Sequence, residues 1–293
     1  MQTKAFWDIT YKCNGRCLYC FTNSGEKFRD ILTLDEMKKI ADMLINKGIS
    51  KISFGGGEPF LCPSFLELCR YIGKKAEISV TTNGTVLNDN IYNLLQNSNI
   101  NLTISIDTLD AQTYEGIRQG IKLSNVLNNI MVLVQNVKIR ERLSIRSTIT
   151  PQNMGNMLEL LQFCVANQIK KLKVNSTNSF GRAKEHSELI PDFTEFMDRL
   201  DILEKEANNY KGVIEVELPI RKYLGTNGQI CTLGKNSIYI DPYGNVFPCA
   251  FSEGELLIGN LLLTDIDVIL DSLLNFSYND EVCKSCLINR YDK

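Results

Sequence analysis

Cys13-Asn14-Gly15-Arg16-Cys17-Leu18-Tyr19-Cys20 places three cysteines at the spacing C-x3-C-x2-C, just after the apolar, β-like run Ala5-Phe6-Trp7-Asp8-Ile9-Thr10. Clustered thiols serve as soft metal ligands or as disulfide partners. Three is an odd number for disulfides and one short of a closed tetrahedral zinc site. It is the right number for an iron–sulfur cubane that leaves one iron open, because cysteine thiolates are the usual ligands of such clusters. An open iron can bind a further group, whereas a saturated site only staples the chain.

Downstream of this loop the chain alternates. Strand-like runs at 51–54, 77–82, 101–107, 143–149 and 170–175 are each followed by a helical pattern, at about 64–74, 88–96, 125–137, 154–166 and 192–208. The first strand is followed by a helix opened by Thr33-Leu34-Asp35-Glu36, a capping-box pattern, and stopped by Gly48. Six strand-then-helix units predict an α/β fold with a parallel sheet and right-handed crossovers. Ligands of such sheets bind at the C-terminal ends of the strands. The candidate motifs all fall at such ends. Gly55-Gly56-Gly57-Glu58-Pro59 follows the second strand, Thr82-Asn83-Gly84 the third, and Ser105-Ile106-Asp107 ends the fourth. Glycines let backbone lie against a ligand, or simply make a tight turn. Thr82-Asn83-Gly84 reads as an ordinary turn.

The three-cysteine spacing with Tyr19 in its aromatic slot resembles the signature of the radical S-adenosylmethionine (radical SAM) superfamily, and Gly55-Gly56-Gly57-Glu58-Pro59 is similar to that family's GGE motif. The resemblance implies a partial (β/α)6 barrel over 1–211. It implies a [4Fe–4S] cluster on Cys13, Cys17 and Cys20 whose fourth iron is chelated by S-adenosylmethionine. Cofactor contacts are then expected from Tyr19, Gly55, Gly56, Gly57, Glu58, Ser105, Asp107 and Arg118, the last as a planar fork on the cofactor carboxylate. A surface ion pair is the plain alternative for Arg118. Arg146 on the fifth strand is open to either an ion pair or a ligand contact. His186 reads as a solvated loop residue, and Cys69 and Cys164 as small core residues on apolar helical faces. Cys62, separated from the GGGEP turn by two residues, is a hydrogen-atom donor candidate weighed against plain burial.

Past about Gly212 the pattern changes. A hairpin is expected over 237–248, turned by Asp241-Pro242-Tyr243-Gly244, then an amphipathic helix through Ile266, Ile269, Leu270, Leu273 and Leu274. Cys231, Cys249, Cys283 and Cys286 stand as C-x12-G-x4-C followed by C-x2-C. Four thiolates admit zinc or an iron–sulfur cluster. The spacing resembles the twitch domain, the short form of the SPASM domain, and so implies a twitch-type C-terminal domain over 212–293 with one auxiliary [4Fe–4S] cluster. The seven residues after Cys286 hold no further cysteine for a second auxiliary cluster. In SPASM sulfatase maturases an aspartate follows the second auxiliary cysteine. Ala250 stands there, so a maturase is not expected.

The 293 residues are 44% hydrophobic, with formal net charge −2, which gives no sequence-wide attraction to nucleic acid or anionic membrane. The pairs Lys38-Lys39, Lys74-Lys75 and Lys170-Lys171 read as solvated faces or strand ends. No apolar run reaches transmembrane length and no signal-peptide core opens the chain. Ten cysteines without an export signal suggest metal or redox use in a reducing, cytoplasmic compartment. The resemblance implies reductive cleavage of S-adenosylmethionine to a 5′-deoxyadenosyl radical, hydrogen abstraction from substrate, and oxidation assisted by the auxiliary cluster. The electron comes from an external donor such as flavodoxin or ferredoxin. The favoured substrate is a ribosomally made peptide, although Cys13 comes too early for an N-terminal leader-binding domain of about 80 residues to precede it. Dehydrogenation of a small polar metabolite such as an aminocyclitol is the second reading. A non-enzymatic metal-binding module is the third, and it leaves the GGGEP turn and the open three-thiol site unexplained.

Overall fold

A computed structural model describes residues 3–25, 32–218, 234, 236–252 and 256–276. Its centre is one ten-stranded sheet. The strands are β1 (Lys4–Thr10), β3 (Lys51–Gly56), β4 (Glu77–Thr82), β5 (Asn101–Ser105), β7 (Leu143–Ile149), β8 (Lys171–Ser176), β9 (Glu215–Glu217), β10 (Ser237–Ile240), β11 (Asn245–Phe247) and β12 (Gly259–Asn260). Their order is β12-β11-β10-β1-β3-β4-β5-β7-β8-β9, parallel from β10 to β9. A separate two-stranded ribbon pairs β2 (Arg16–Cys17) with β6 (Arg118–Gln119).

The helices are α1 (Leu34–Asn46), α2 (Phe65–Ile72), α3 (Asp89–Gln96), α4 (Ala111–Ile117), α5 (Leu123–Val134), α6 (Val137–Arg140), α7 (Met157–Ala166), α8 (Phe193–Ala207) and α9 (Ile266–Leu274). Several start at a side-chain cap. Thr33 and Glu36 close the capping box of α1 in both directions, and Asn88 and Asp192 accept amide hydrogen bonds at the starts of α3 and α8. Gly48, at φ +82°, follows the C-cap of α1. The helical stretch expected over 125–137 is two helices, because the Asn136 side chain caps α6 and restarts the helix.

The six expected strand–helix units are all present, in a mixed α/β partial barrel. Strand alternation sorts the sheet's two faces. Ala5, Trp7, Ile52, Phe54, Val80, Ile104, Ile145 and Leu172 join the helices in the core, where Phe54 packs on Trp7 and edge-on to Phe65. The opposite, concave face carries Asp8, Ser53, Ser79, Thr103, Ser105, Arg146 and Lys173. Lys173 reaches past β7 to donate to Thr103 Oγ1 at 3.1 Å. Burial, then the neighbouring Arg146 charge, pushes the Lys173 ammonium down to about 8. It also feels Lys4 on β1, five strands away in sheet order, as the inward curl requires.

The sheet runs across the boundary expected at 211/212. β9 adds to β8, and the 237–248 hairpin lies with β10 against β1, in register from Lys4↔Ser237 to Trp7↔Ile240. Tyr239 Oη donates to Asp8 Oδ2 at 2.6 Å across that seam. The Asp241 carboxylate holds the hairpin turn by accepting from the amides of Tyr243 and Asn245. No helix among the described residues is long and apolar enough to cross a membrane.

Candidate active site

The three-thiol loop leaves the C-terminal end of β1 and is held on four sides. The first wall is the glycine turn. Gly57 N donates to Thr10 O at 2.7 Å and Glu58 N to Lys12 O at 2.8 Å. A Cβ at Gly57 would lie 2.2 Å from Lys12 O, and one at Gly56, whose φ is +103°, 2.4 Å from Thr10 O. At these two positions the backbone that comes close is the chain's own lead into Cys13.

The second wall is built on Glu58, which is fully buried. Its carboxylate accepts from Phe60 N (3.2 Å), Thr82 Oγ1 (2.8 Å) and Asn83 N (2.8 Å). Burial pushes this carboxyl up to about 7 in spite of those donors. Asn83, fixed in this way, donates from Nδ2 to Asn14 Oδ1 at 2.8 Å and lies 3.8 Å from Cys13 Sγ.

The third wall is the β2–β6 ribbon, which brings Arg118 beside Cys17. Arg118 does not stand as a surface charge. It is 6% exposed and forks onto Asp107, Nε to Oδ2 at 2.7 Å and Nη2 to Oδ1 at 3.1 Å. Asp107 also accepts from Tyr19 Oη (2.5 Å) and Thr148 N (2.9 Å). The guanidinium lies over the Tyr19 and Tyr114 rings at 5.4 and 5.7 Å, with Nη1 3.9 Å from Cys17 Sγ. Burial, the largest single influence, would lower the Arg118 pKa, but the surrounding groups, Asp107 first and then Tyr19, Cys17 and Tyr114, together raise it and the guanidinium stays protonated. Burial pushes the Cys17 thiol up to about 12 against the pull of Arg118, and raises Cys13 as well.

The fourth wall comes from the loop after β8. Arg182 N donates to Cys20 O (3.0 Å), Nε to Cys17 O (2.8 Å) and Nη1 to Ser24 O (3.1 Å).

This donor set fits a thiolate-held cluster. Cys13 Sγ faces Gly15 N at 3.4 Å and the Asn83 amide, Cys17 Sγ faces Arg118, and Cys20 Sγ lies 3.4 Å from the Thr22 hydroxyl. Donors aimed at sulfur stabilise cluster thiolates. Among the described residues no three Cys, His, Asp or Glu side chains converge as a single metal ion requires. A cubane takes each thiolate on a different iron, so its ligands need not converge.

Ser105 is buried at the end of β5, and its carbonyl accepts from Tyr114 Oη at 3.3 Å. Cys62, Cys69 and Cys164 are buried in the core. His186 is half-exposed and meets Glu188 at 2.9 Å. Of the four C-terminal cysteines only Cys249 is described, half-buried, with its sulfur 3.4 Å from Phe251 N. Cys231, Cys283 and Cys286 lie outside the described residues. Asn83 and Arg182 escaped the sequence reading. The faint signal for Asn83 was its place at a strand's C-terminal end.

A parallel partial barrel with a polar concave face and a thiol loop at the C-terminal strand ends defines a barrel protein built for iron–sulfur chemistry. The description "Radical SAM superfamily" matches residues 7–164, more than half of the chain, and "Iron-sulfur cluster-binding domain" (SPASM) matches 231–287. The chain belongs to the radical SAM superfamily, in its SPASM-bearing subgroup, whose cofactors are [4Fe–4S] clusters and S-adenosylmethionine. It is similar to the antilisterial bacteriocin subtilosin biosynthesis protein AlbA of Bacillus subtilis, 25% identical over 284 residues, covering 94% of this chain and 60% of AlbA. GTP 3′,8-cyclase of Peptoclostridium acidaminophilum is 38% identical over 128 residues, covering 42% of this chain and 39% of the cyclase. The chain thus spans under two thirds of either relative. Streptococcus suis SuiB bound to S-adenosylmethionine shares the fold, with TM-score 0.81 and 16% identity over 98% of this chain and 71% of SuiB. SuiB bound to precursor peptide SuiA gives 0.79 and 17% identity over 100% of this chain and 73% of that one.

Proposed function

We propose that this chain is a radical SAM enzyme that modifies a ribosomally made peptide. The observation that carries the reading is the three-thiol loop held at the strand ends, with a hydrogen-bond donor or a hydroxyl beside each sulfur. The peptide substrate is supported by the likeness to AlbA, a bacteriocin biosynthesis protein, and to SuiB, seen with a precursor peptide. In this reading Cys13, Cys17 and Cys20 hold the first cluster, and Cys231, Cys249, Cys283 and Cys286 the auxiliary one. The cluster with S-adenosylmethionine supplies reductive one-electron chemistry.

The chain's own residues set the stage for it. Arg118, held by Asp107, keeps a fixed positive charge beside Cys17. Glu58 fixes Asn83 beside Cys13. Ser105 offers a hydroxyl-bearing strand end to the cofactor's polar groups, and Ala5, Trp7 and Ile9 of β1 root the loop in the apolar core. Electrons come from an external donor such as flavodoxin or ferredoxin.

The test is anaerobic reconstitution, dithionite reduction and mass spectrometry for 5′-deoxyadenosine. Wild type forms it, and the triple variant Cys13→Ala, Cys17→Ala, Cys20→Ala does not. Formation at the wild-type rate by the triple variant sinks the reading.

A further inference from the structure

The segment Phe180-Gly181-Arg182, in the loop after β8, does more than cover the thiol loop. Gly181 adopts φ +54°, and a Cβ there would stand 2.3 Å from Cys20 O and 2.4 Å from Phe21 O. The glycine therefore lets this loop lie directly on the Cys20 turn. Arg182, 8% exposed, then spans that turn from Cys17 O to Ser24 O with its guanidinium and takes Cys20 O with its amide.

The neighbouring Phe180 makes a second contact. Its ring stacks on Phe251, centroids 4.5 Å apart and planes at 12°. Phe251 also meets Phe21 edge-on at 5.6 Å. Phe21 follows Cys20 directly, and the Phe251 amide points at Cys249 Sγ. One aromatic cluster thus joins a residue beside the first thiol loop to a residue beside the C-terminal thiol.

We propose that Phe180-Gly181-Arg182 and Phe251 form a shared anchor that positions the Cys17–Cys20 turn and Cys249 together, so that order at one thiol site depends on the other. The inference deepens the cluster assignments above and rests on them for its functional meaning. The positional coupling itself is a property of the chain. Arg182 and Phe251 are positioning residues in this scheme. Aromatic contacts of this kind contribute beyond their buried area, and a guanidinium forked onto two carbonyls cannot be replaced by an ammonium.

The experiment reads thiol reactivity, residue by residue, in the full-length chain before reconstitution. Iodoacetamide labelling is followed by peptide mass spectrometry at Cys13, Cys17, Cys20 and Cys249, with iron per chain measured after reconstitution. Phe251→Leu keeps an apolar side chain while removing the stack, and so guards against loss of folding in Phe251→Ala.

Both Phe251 variants are expected to speed labelling of Cys20 as well as Cys249. Arg182→Ala and Arg182→Lys are expected to do the same at Cys249 as well as at Cys17 and Cys20. The effect should be at least about tenfold for Arg182→Ala, which loses two charge-assisted hydrogen bonds, one of which alone has that scale. Circular dichroism should match wild type, and iron per chain should fall. If the Phe251 variants change Cys249 alone and the Arg182 variants change Cys17 and Cys20 alone, the shared anchor is wrong. Wild-type reactivity throughout overturns it equally. Because labelling needs no cluster, failure of the wild type to cleave S-adenosylmethionine would strike the proposed function and leave this result readable.

Discussion

Two buried carboxylates flank the thiol loop, and they are held in opposite ways. Asp107, 1% exposed, meets a cation, since the Arg118 fork and the Tyr19 hydroxyl converge on it. Glu58, fully buried, meets neutral donors among the described residues, those of Phe60, Thr82 and Asn83. Each acts on a sulfur through one intermediary, Arg118 for Cys17 and Asn83 for Cys13. The difference shows in the charge each side can hold. On the Asp107 side a full ion pair is sealed from water. On the Glu58 side no positive group among the described residues answers the carboxylate, and burial pushes its carboxyl up to about 7. The Arg118 charge beside the thiol loop is fixed, and the Glu58 side is a titrating one.

The strongest way to break the contrast is Asp107→Ala. It leaves the Arg118 guanidinium buried beside two tyrosine rings and a thiol without its carboxylate. Removing one partner of a buried pair costs about 3–5 kcal/mol. Urea denaturation should show a loss of that size. A loss under about 1 kcal/mol would mean that other groups meet the Arg118 charge. The Asp107→Asn variant should fall between, because an amide can keep one acceptor for the fork.

Glu58→Gln tests the other side. The amide oxygen can still accept from Phe60 N and Thr82 Oγ1, but the NH2 group then faces the Asn83 amide donor. A buried donor–donor clash of this kind costs about 1–3 kcal/mol. The pH dependence sharpens the comparison. The folded-state pKa lies above the ordinary value of 4.5, so the folded chain keeps a proton that the unfolded chain releases between pH 4.5 and about 7. Stability from this group is therefore full below pH 4.5 and declines as pH rises through about 7, by roughly 3 kcal/mol in all. Stability curves of wild type and Glu58→Gln, taken between pH 5 and 8, should converge as pH rises. Parallel curves would show that Glu58 does not titrate in this window.

The fold was legible because its evidence is local and repeated. Period-two apolar runs such as 77–82, helix starts such as Thr33 with Glu36, and stops such as Gly48 act over a few residues. The thiol spacing and the glycine turn were legible for the same reason. What escaped notice depends on single polar side chains acting at long range. Asn83 sits in a turn signal like any other, and only the folded chain brings its amide to Cys13, 70 positions away. Arg182 lies 165 positions from the carbonyl of Cys17 that it holds. The β10–β1 pairing leaves no mark in either strand, because parallel register is set by the whole sheet. Arg118 entered through the family resemblance, but its engagement with Asp107 needed the ribbon that β2 and β6 make.

The finest test of the Glu58 side is Thr82→Val, close to isosteric and missing one hydroxyl. The hydroxyl donates to Glu58 Oε1 at 2.8 Å and accepts from Gly84 N at 3.0 Å, so its loss removes one of three donors and frees one turn amide. The expected cost is about 1 kcal/mol, the net worth of an ordinary hydrogen bond. The sign of the second effect discriminates better than the size of the first. The hydroxyl stabilises the charged carboxylate, so its removal should move the Glu58 transition to higher pH, and the window of declining stability should move with it. Combining Thr82→Val with Glu58→Gln closes a double-mutant cycle. If the hydroxyl acts through the carboxylate, its cost above pH 7 should shrink in the Gln background, where the acceptor carries no charge. If the cost is the same in both backgrounds, Thr82 serves only the Gly84 turn, and Phe60 and Asn83 alone answer the buried carboxylate.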